Sequence, residues 1–179
     1  MVCPNKTILE QFFGYYFKYL SGFGQAVTFE ADAMEAVSQA AGAGDLALFL
    51  SYVEKALQTE VGLHSRLQLS EASIQFFMLG AARLLKGFKA TAEEEVLGIG
   101  FMDVVIRPTA ESGIKEAYLQ ELKYLTQAAG TPAAVEAKLD DACRQSAAYA
   151  SAGNVRTLPN LKKLAVVFVG PAVNGVRYL

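Results

Sequence analysis

Two apolar, strand-like runs near the middle of the chain carry charged residues that packing alone does not explain. The first run, residues 98–106, contains Asp103, and the second, residues 117–123, ends on Glu121-Leu122-Lys123. β-Branched and apolar residues dominate both runs and turn-forming residues separate them, which is typical of strands. Because side chains alternate along a strand with a period of two, Glu121 and Lys123 must emerge on the same face.

The charged side chains of these two strands predict a shared site. Asp103 can converge on Glu121 and Lys123, which places two carboxylates and an ammonium around one point. Mg²⁺ prefers oxygen ligands and keeps several waters, so one or two carboxylates are enough to hold it. The pattern therefore predicts a divalent-metal site with a cation beside it, suited to phosphodiester cleavage. A structural Glu–Lys ion pair at a strand end is the alternative interpretation.

The order of these residues along the chain resembles the PD-(D/E)XK nuclease-like superfamily. It is most similar to the nuclease-like domain at the C-terminus of bacterial AAA-ATPase-like proteins. That pattern has a Glu on a first helix, an acid opening the second strand, (D/E)-x-K on the third strand, and a Gln with an aromatic on the next helix. The matching residues are Glu71, Asp103, Glu121 with Lys123, and Gln145 with Tyr149. Residues 2–6 also resemble the V-P-N segment that starts this domain in longer relatives.

The chain departs from the superfamily pattern at three places. Met102 stands where the name-giving proline precedes the acid. The branch usually has Gly-Arg-x-Asp, whereas this chain has Phe101 at the position of the arginine. The segment between the two strands, residues 107–116, is longer than a tight hairpin needs.

The resemblance implies a fold and a set of roles. The fold is α/β, with a restriction-endonuclease-like core (αβββαβ, central mixed sheet) in residues 67–179 and an N-terminal helical subdomain, residues 1–66, packed on it. Mg²⁺, or Mn²⁺ as an alternative, would be held by Asp103, Glu121, Glu71 and the backbone carbonyl of Leu122. The implied catalytic residues are Asp103, Glu121, Lys123 and Gln145. Lys123, at the mouth of the site, would orient or deprotonate the attacking water. DNA is the first candidate substrate among nucleic acids, and an N-terminal ATPase-like region is the implied partner.

Hydrophobic periodicity and capping residues predict the elements that carry these positions. Asp45, Ser70 and Thr131 are expected N-caps. Predicted helices cover residues 7–20, 31–41, a stretch after Asp45, 71–85 and 132–150. Predicted strands cover residues 89–97, 101–107, 116–124, 161–169 and 176–179. In the helical region, Phe12, Tyr16, Phe49 and Val53 are expected to be core residues.

Composition limits the other classes of function. The apolar runs are shorter than a membrane span needs, there is no secretory-signal pattern, and the two cysteines are too few for a disulfide scaffold. A cytoplasmic protein that does not contact a membrane is expected. A net charge of −2 gives no electrostatic footprint for nucleic acid. An interaction module with a catalytically weak or inactive site, or a regulatory subunit that recognises nucleic acid without cutting it, therefore stays open.

Three further features are assigned smaller roles. The acidic run Glu93-Glu94-Glu95 is interpreted as a solvated edge, with Glu95 as a candidate for a metal-related role. His64 is the only histidine, so a Ser/His or His–metal mechanism has no support. No Gly-rich phosphate loop of the Walker type is present, which argues against ATPase activity in these residues.

Overall fold

The computed structural model describes residues 31–63, 69–96, 100–149 and 157–179, with backbone alone for residues 31–33, 59–63 and 93–96. These residues form an α/β fold of four α-helices and a five-stranded mixed sheet. None of the helices within these ranges has the length and apolarity to cross a membrane. The helices are α1 (Ala31–Gly42), α2 (Ala47–Leu63), α3 (Glu71–Ala82) and α4 (Pro132–Tyr149). The strands are β1 (Phe88–Val96), β2 (Gly100–Pro108), β3 (Ala117–Leu125), β4 (Leu161–Val169) and β5 (Ala172–Tyr178).

The strands lie in the order β1-β2-β3-β4-β5. All neighbouring pairs are antiparallel except β3 and β4, which run parallel from Ala117 opposite Leu161 to Leu125 opposite Val169. Parallel neighbours need a crossover connection, since a hairpin cannot join them. Helix α4 supplies that crossover and is thereby placed over one face of the sheet, against β3 and β4. The order α3-β1-β2-β3-α4-β4 agrees with the predicted order of elements.

The two faces of the sheet have separate cores. On one face, α1, α2 and α3 pack against alternate residues of β2, β3 and β4, including Val104, Tyr118 and Val166. On the other face, α4 packs against Ala165 and Val167 of β4. Phe49 and Val53 of α2 are buried, as predicted. Phe12, Tyr16 and the predicted helix over residues 7–20 lie outside the described residues, and a domain division at residue 66 stays a prediction.

Helix starts follow the predicted caps. Asp45 Oδ1 accepts from the Ala47 N–H at 2.8 Å, and Thr131 Oγ1 accepts from the Ala134 N–H at 3.2 Å. Ser70 and Ser73 form a reciprocal capping box at the start of α3, which satisfies donors that have no partner in the first turn. Helix α3 ends at Ala82, three residues before the predicted end, and the chain turns there while Leu85 remains buried.

Strand β5 is longer than the sequence predicted. It covers Ala172–Tyr178 and pairs with β4 through a tight connection at Gly170-Pro171. Gly170 has φ +57°, a conformation that glycine adopts without the steric penalty of a Cβ. The Gly-Pro pair therefore joins two strands of a hairpin.

Candidate active site

Asp103 lies where the ladder between β2 and β3 ends. The last backbone pair of this ladder is Val104 with Gln120. Next to it, Oδ2 of the Asp103 carboxylate accepts a hydrogen bond from the Leu122 N–H at 2.8 Å. A side-chain carboxylate thus serves as the acceptor for a strand N–H, and this contact holds Asp103 beside the charged end of β3.

Glu121 and Lys123 form a buried ion pair on β3. The Nζ of Lys123 lies 3.0 Å from Oε1 of Glu121, and the two side chains are only 9 % and 3 % exposed. The same Nζ donates to Oε1 of Gln145 on α4 at 3.0 Å. The Nε2 of Gln145 in turn donates to Asp141 Oδ2 at 3.3 Å. The structure therefore brings Glu121, Lys123 and Gln145 together, with Asp103 next to them through Leu122.

Glu71 approaches the same end of β3 from the other face of the sheet. It is the first residue of α3, directly after the Ser70 cap. Its Oε2 accepts from the Tyr124 N–H at 3.2 Å, one residue beyond Lys123. Helix capping thus places a third carboxylate within electrostatic range of Lys123, although Glu71 itself is exposed.

Gln75 is a site residue that the sequence analysis missed. Its side chain is buried, and its Nε2 donates to the backbone oxygen of Asp103 at 2.9 Å and to Oδ1 of Asp103 at 3.4 Å. Gln75 lies four residues after Glu71, so both occupy the same face of α3. This i, i+4 spacing from a predicted site residue is the sequence signal that could have identified it.

Burial sets the ionisation of Glu121. Removal from water raises the pKa of the Glu121 carboxyl to about 7, and the negative charge of Asp103 acts in the same direction. Lys123 opposes the shift without cancelling it. A cation beside Glu121 would favour the ionised carboxylate, because an opposite charge lowers the pKa of an acid.

Lys123 keeps its charge despite its burial. Burial favours the neutral amine, but the carboxylates of Glu121, Glu71 and Asp103 outweigh it and raise the pKa of Lys123. At neutral pH the side chain is therefore an ammonium. Of the two roles predicted from the sequence, orienting the attacking water suits the charged state better than deprotonating it.

The surroundings of Glu121 Oε2 indicate whether a cation suits the site. This oxygen is buried and has no hydrogen-bond partner among the described residues, an arrangement with a desolvation penalty that a cation would offset. Within the same residues, no three His, Cys, Asp or Glu side chains form a metal-ligand group. Because Mg²⁺ keeps several waters and needs only one or two carboxylates, Asp103 and Glu121 suit the ion. Glu71 and the Leu122 carbonyl stay predicted ligands.

The remaining candidate residues are peripheral or undescribed. Tyr149 packs in a small core with Met102. Its burial and the negative charges of Glu121 and Asp103 raise the pKa of its hydroxyl. The backbone of Glu94 and Glu95 pairs with β2, whereas the side chains of the acidic run lie outside the described part of the chain. His64 lies outside it as well. Cys143 is a partly buried free thiol on α4, away from these contacts.

Comparison with known proteins identifies no relative of this chain. No family model, no curated protein and no solved structure matches the chain.

Proposed function

We propose that this chain is a metal-dependent nuclease that hydrolyses phosphodiester bonds, with DNA as the first candidate substrate, and that it is a member of the PD-(D/E)XK nuclease-like superfamily. The observation that carries the proposal is the buried Glu121–Lys123 pair next to Asp103, in which one Glu121 oxygen has no hydrogen-bond partner among the described residues. The order of helices and strands and the mixed sheet support a restriction-endonuclease-like core. Mg²⁺ is the proposed cofactor, with Mn²⁺ as the alternative.

The residues present divide the chemistry between them. Hydrolysis forms a bond from a water oxygen to phosphorus and breaks the bond from phosphorus to the leaving oxygen, which takes a proton. Asp103 and Glu121 would hold the ion, and a bound divalent ion polarises the phosphate and lowers the pKa of water. Lys123, as an ammonium, stabilises the negative charge that grows on the phosphate oxygens. Gln145 accepts from Lys123 and so orients its Nζ.

A second candidate function is a nuclease-like module that is catalytically inactive and binds protein or nucleic acid. The contacts of Lys123 favour it, because the Nζ already bonds both Glu121 and Gln145 and the residue is only 8 % exposed. In this reading the ion pair is structural. An ATPase-like region remains the predicted partner for such a module.

A cleavage assay separates the two candidates. The purified chain is incubated with labelled single-stranded and duplex DNA and RNA, in Mg²⁺, in Mn²⁺ and in EDTA. The nuclease proposal expects metal-dependent products from the wild type and none from Lys123→Met. Lys86→Met is the matched control, since Lys86 forms an exposed ion pair with Glu35 at 2.5 Å, outside the site. Cleavage by Lys123→Met at the wild-type rate would contradict the nuclease proposal. Absence of cleavage by the wild type would contradict it as well.

A further inference from the structure

Asp141 is an acidic residue of α4 that lies one helical turn before Gln145. Its Oδ2 accepts a hydrogen bond from Nε2 of Gln145 at 3.3 Å, and its Oδ1 lies 3.3 Å from a guanidinium nitrogen of Arg144. The Asp141 side chain is 38 % exposed and the Arg144 side chain is 71 % exposed, so their ion pair is solvated and weak. The bond to Gln145 is therefore the contact that connects Asp141 to the candidate site.

The side-chain amide of Gln145 lies between a group that only donates hydrogen bonds and a group that only accepts them. The ammonium of Lys123 has three N–H donors and no acceptor, whereas an ionised carboxylate such as that of Asp141 has acceptors alone. The amide oxygen must therefore face Lys123, at 3.0 Å, and the amide nitrogen must face Asp141. Only one of the two amide orientations makes both bonds.

The contact with Gln145 helps to set the direction of the remaining N–H of Lys123. One N–H of the ammonium donates to Glu121 Oε1 and another to Gln145 Oε1, each at 3.0 Å. Because the ammonium is tetrahedral, these two acceptors determine where the third N–H points. In the proposed reaction the ammonium stabilises negative charge on the phosphate oxygens. A displaced Gln145 amide would therefore misdirect the N–H that meets the phosphate.

Gln145 needs an anchor because its side chain is long and only partly buried. Holding such a side chain in one conformation costs conformational entropy, and an amide bonded to Lys123 alone would keep part of its freedom. Residues four apart on a helix lie on the same face, which places Asp141 within reach of the other end of this amide. Asp141 thereby holds the amide at both ends together with Lys123.

We infer that Asp141 is a positioning residue of the proposed active site: it holds the Gln145 amide, which in turn directs the Lys123 ammonium toward the scissile phosphate. Asp141 acts on Lys123 through Gln145 and takes no part in the chemistry itself. This inference rests on the proposed function and adds a residue to it. The alternative is that the Asp141–Gln145 bond only stabilises α4, and in that case the state of Lys123 does not depend on Asp141.

The nitrogen-15 NMR signal of Lys123 Nζ, recorded without metal, tests the positioning directly. The signal is assigned by its absence from the spectrum of Lys123→Met. Asp141→Ala should move it toward the position of a solvated lysine, because the Gln145 amide is no longer held at the ammonium. Asp141→Asn should leave it near the wild-type position, since the side-chain carbonyl of asparagine still accepts from Gln145. The matched control is Asp140→Ala, which removes the neighbouring carboxylate of α4, paired with Arg177 at 2.7 Å.

Cleavage of DNA in Mg²⁺ tests whether this positioning matters for the reaction. Asp141→Ala should lower kcat by about 10- to 100-fold with little change in KM, which is the effect of losing a partner that orients a site residue. In the background of Gln145→Glu the same substitution should have no such effect, because the introduced carboxylate has no N–H for Asp141 to accept. A role limited to the stability of α4 would not depend on residue 145 in this way.

The outcomes separate this inference from the proposed function. An unchanged Lys123 signal in Asp141→Ala, with metal-dependent cleavage intact, overturns the inference and leaves the nuclease proposal standing. An equal change of the signal in Asp140→Ala overturns it as well, and so does an equal loss of cleavage from Asp141→Ala in the Gln145→Glu background. If the wild type cleaves no nucleic acid, the proposed function falls and Asp141 is left as a structural contact, whatever its effect on the signal.

Discussion

The Asp103 carboxylate accepts the N–H of Leu122 at 2.8 Å, so an ionisable side chain lies between two strands at the point where their ladder ends. This contact fixes one oxygen of Asp103 next to Glu121. Gln75 donates toward the other oxygen. Both oxygens of one proposed ligand are thereby oriented by neighbours, which is how proteins fix the geometry of a metal site.

Replacing Gln75 should weaken metal binding without unfolding the protein. Gln75→Met removes the donor to Asp103 and introduces an apolar side chain of similar length. Loss of such an orienting partner lowers metal affinity by about 10- to 100-fold. The measurement is the Mn²⁺ affinity from calorimetric titration. Gln58→Met, on an exposed glutamine that bonds Glu54, is the control. Unchanged affinity in Gln75→Met would show that Asp103 does not depend on this contact.

The Glu121–Lys123 pair should show strong coupling in a double-mutant cycle. Lys123→Met leaves a buried carboxylate without its cation and should lower the free energy of unfolding by about 1–3 kcal/mol. Adding Glu121→Gln removes that carboxylate and should restore part of the loss. Urea denaturation of the four proteins measures the coupling energy. Additive effects of the two substitutions would contradict a buried ion pair.

Gln120 is the best candidate for a stabilising substitution. It is fully buried on β3, and neither its Nε2 nor its Oε1 has a hydrogen-bond partner among the described residues. A buried amide without partners is destabilising by about 1–3 kcal/mol. Gln120→Leu should therefore raise the midpoint of urea unfolding. A fall in the midpoint would show that the amide has a partner that the described contacts do not include.

Metal binding should depend on pH through Glu121. Its carboxyl has a pKa of about 7 in the folded protein, and the ion needs the ionised form. Affinity should therefore rise by about tenfold from pH 6 to pH 8 and change little above that. The same shift makes the folded protein hold this proton more tightly than the unfolded chain. Its contribution to stability is present at low pH and is lost as pH rises toward 7. Calorimetric Mn²⁺ titrations at several pH values test the first effect, and a flat profile would contradict it.

Sequence patterns predicted the elements better than the contacts between them. The bounds of β4 and the caps at Ser70 and Thr131 agree with the structure, because periodicity and capping are local properties. The prediction for β5, residues 176–179, was too short, because the chain turns at Gly170-Pro171 and pairs with β4 from Ala172 onward.

For the candidate site as well, the sequence predicted local features better than tertiary contacts. Alternation along β3 correctly placed Glu121 and Lys123 on one face, as their ion pair shows. Local pattern does not reveal how deeply a side chain is buried. Lys123, expected at the mouth of the site, is almost completely covered by Gln145 and its neighbours. Gln75 was missed for a related reason, because its role depends on how α3 crosses the end of β2, a tertiary relationship.

Direct measurement of divalent-metal binding tests the central claim. Mn²⁺ is titrated into the purified wild type and into Asp103→Asn, which keeps the shape of the side chain and removes its charge. The account predicts that the wild type binds Mn²⁺ at millimolar or lower concentrations, with a rise in melting temperature on binding. In Asp103→Asn both effects should be lost while the fold remains. Absence of binding by the wild type, or equal binding by both proteins, would contradict a metal site at Asp103 and Glu121.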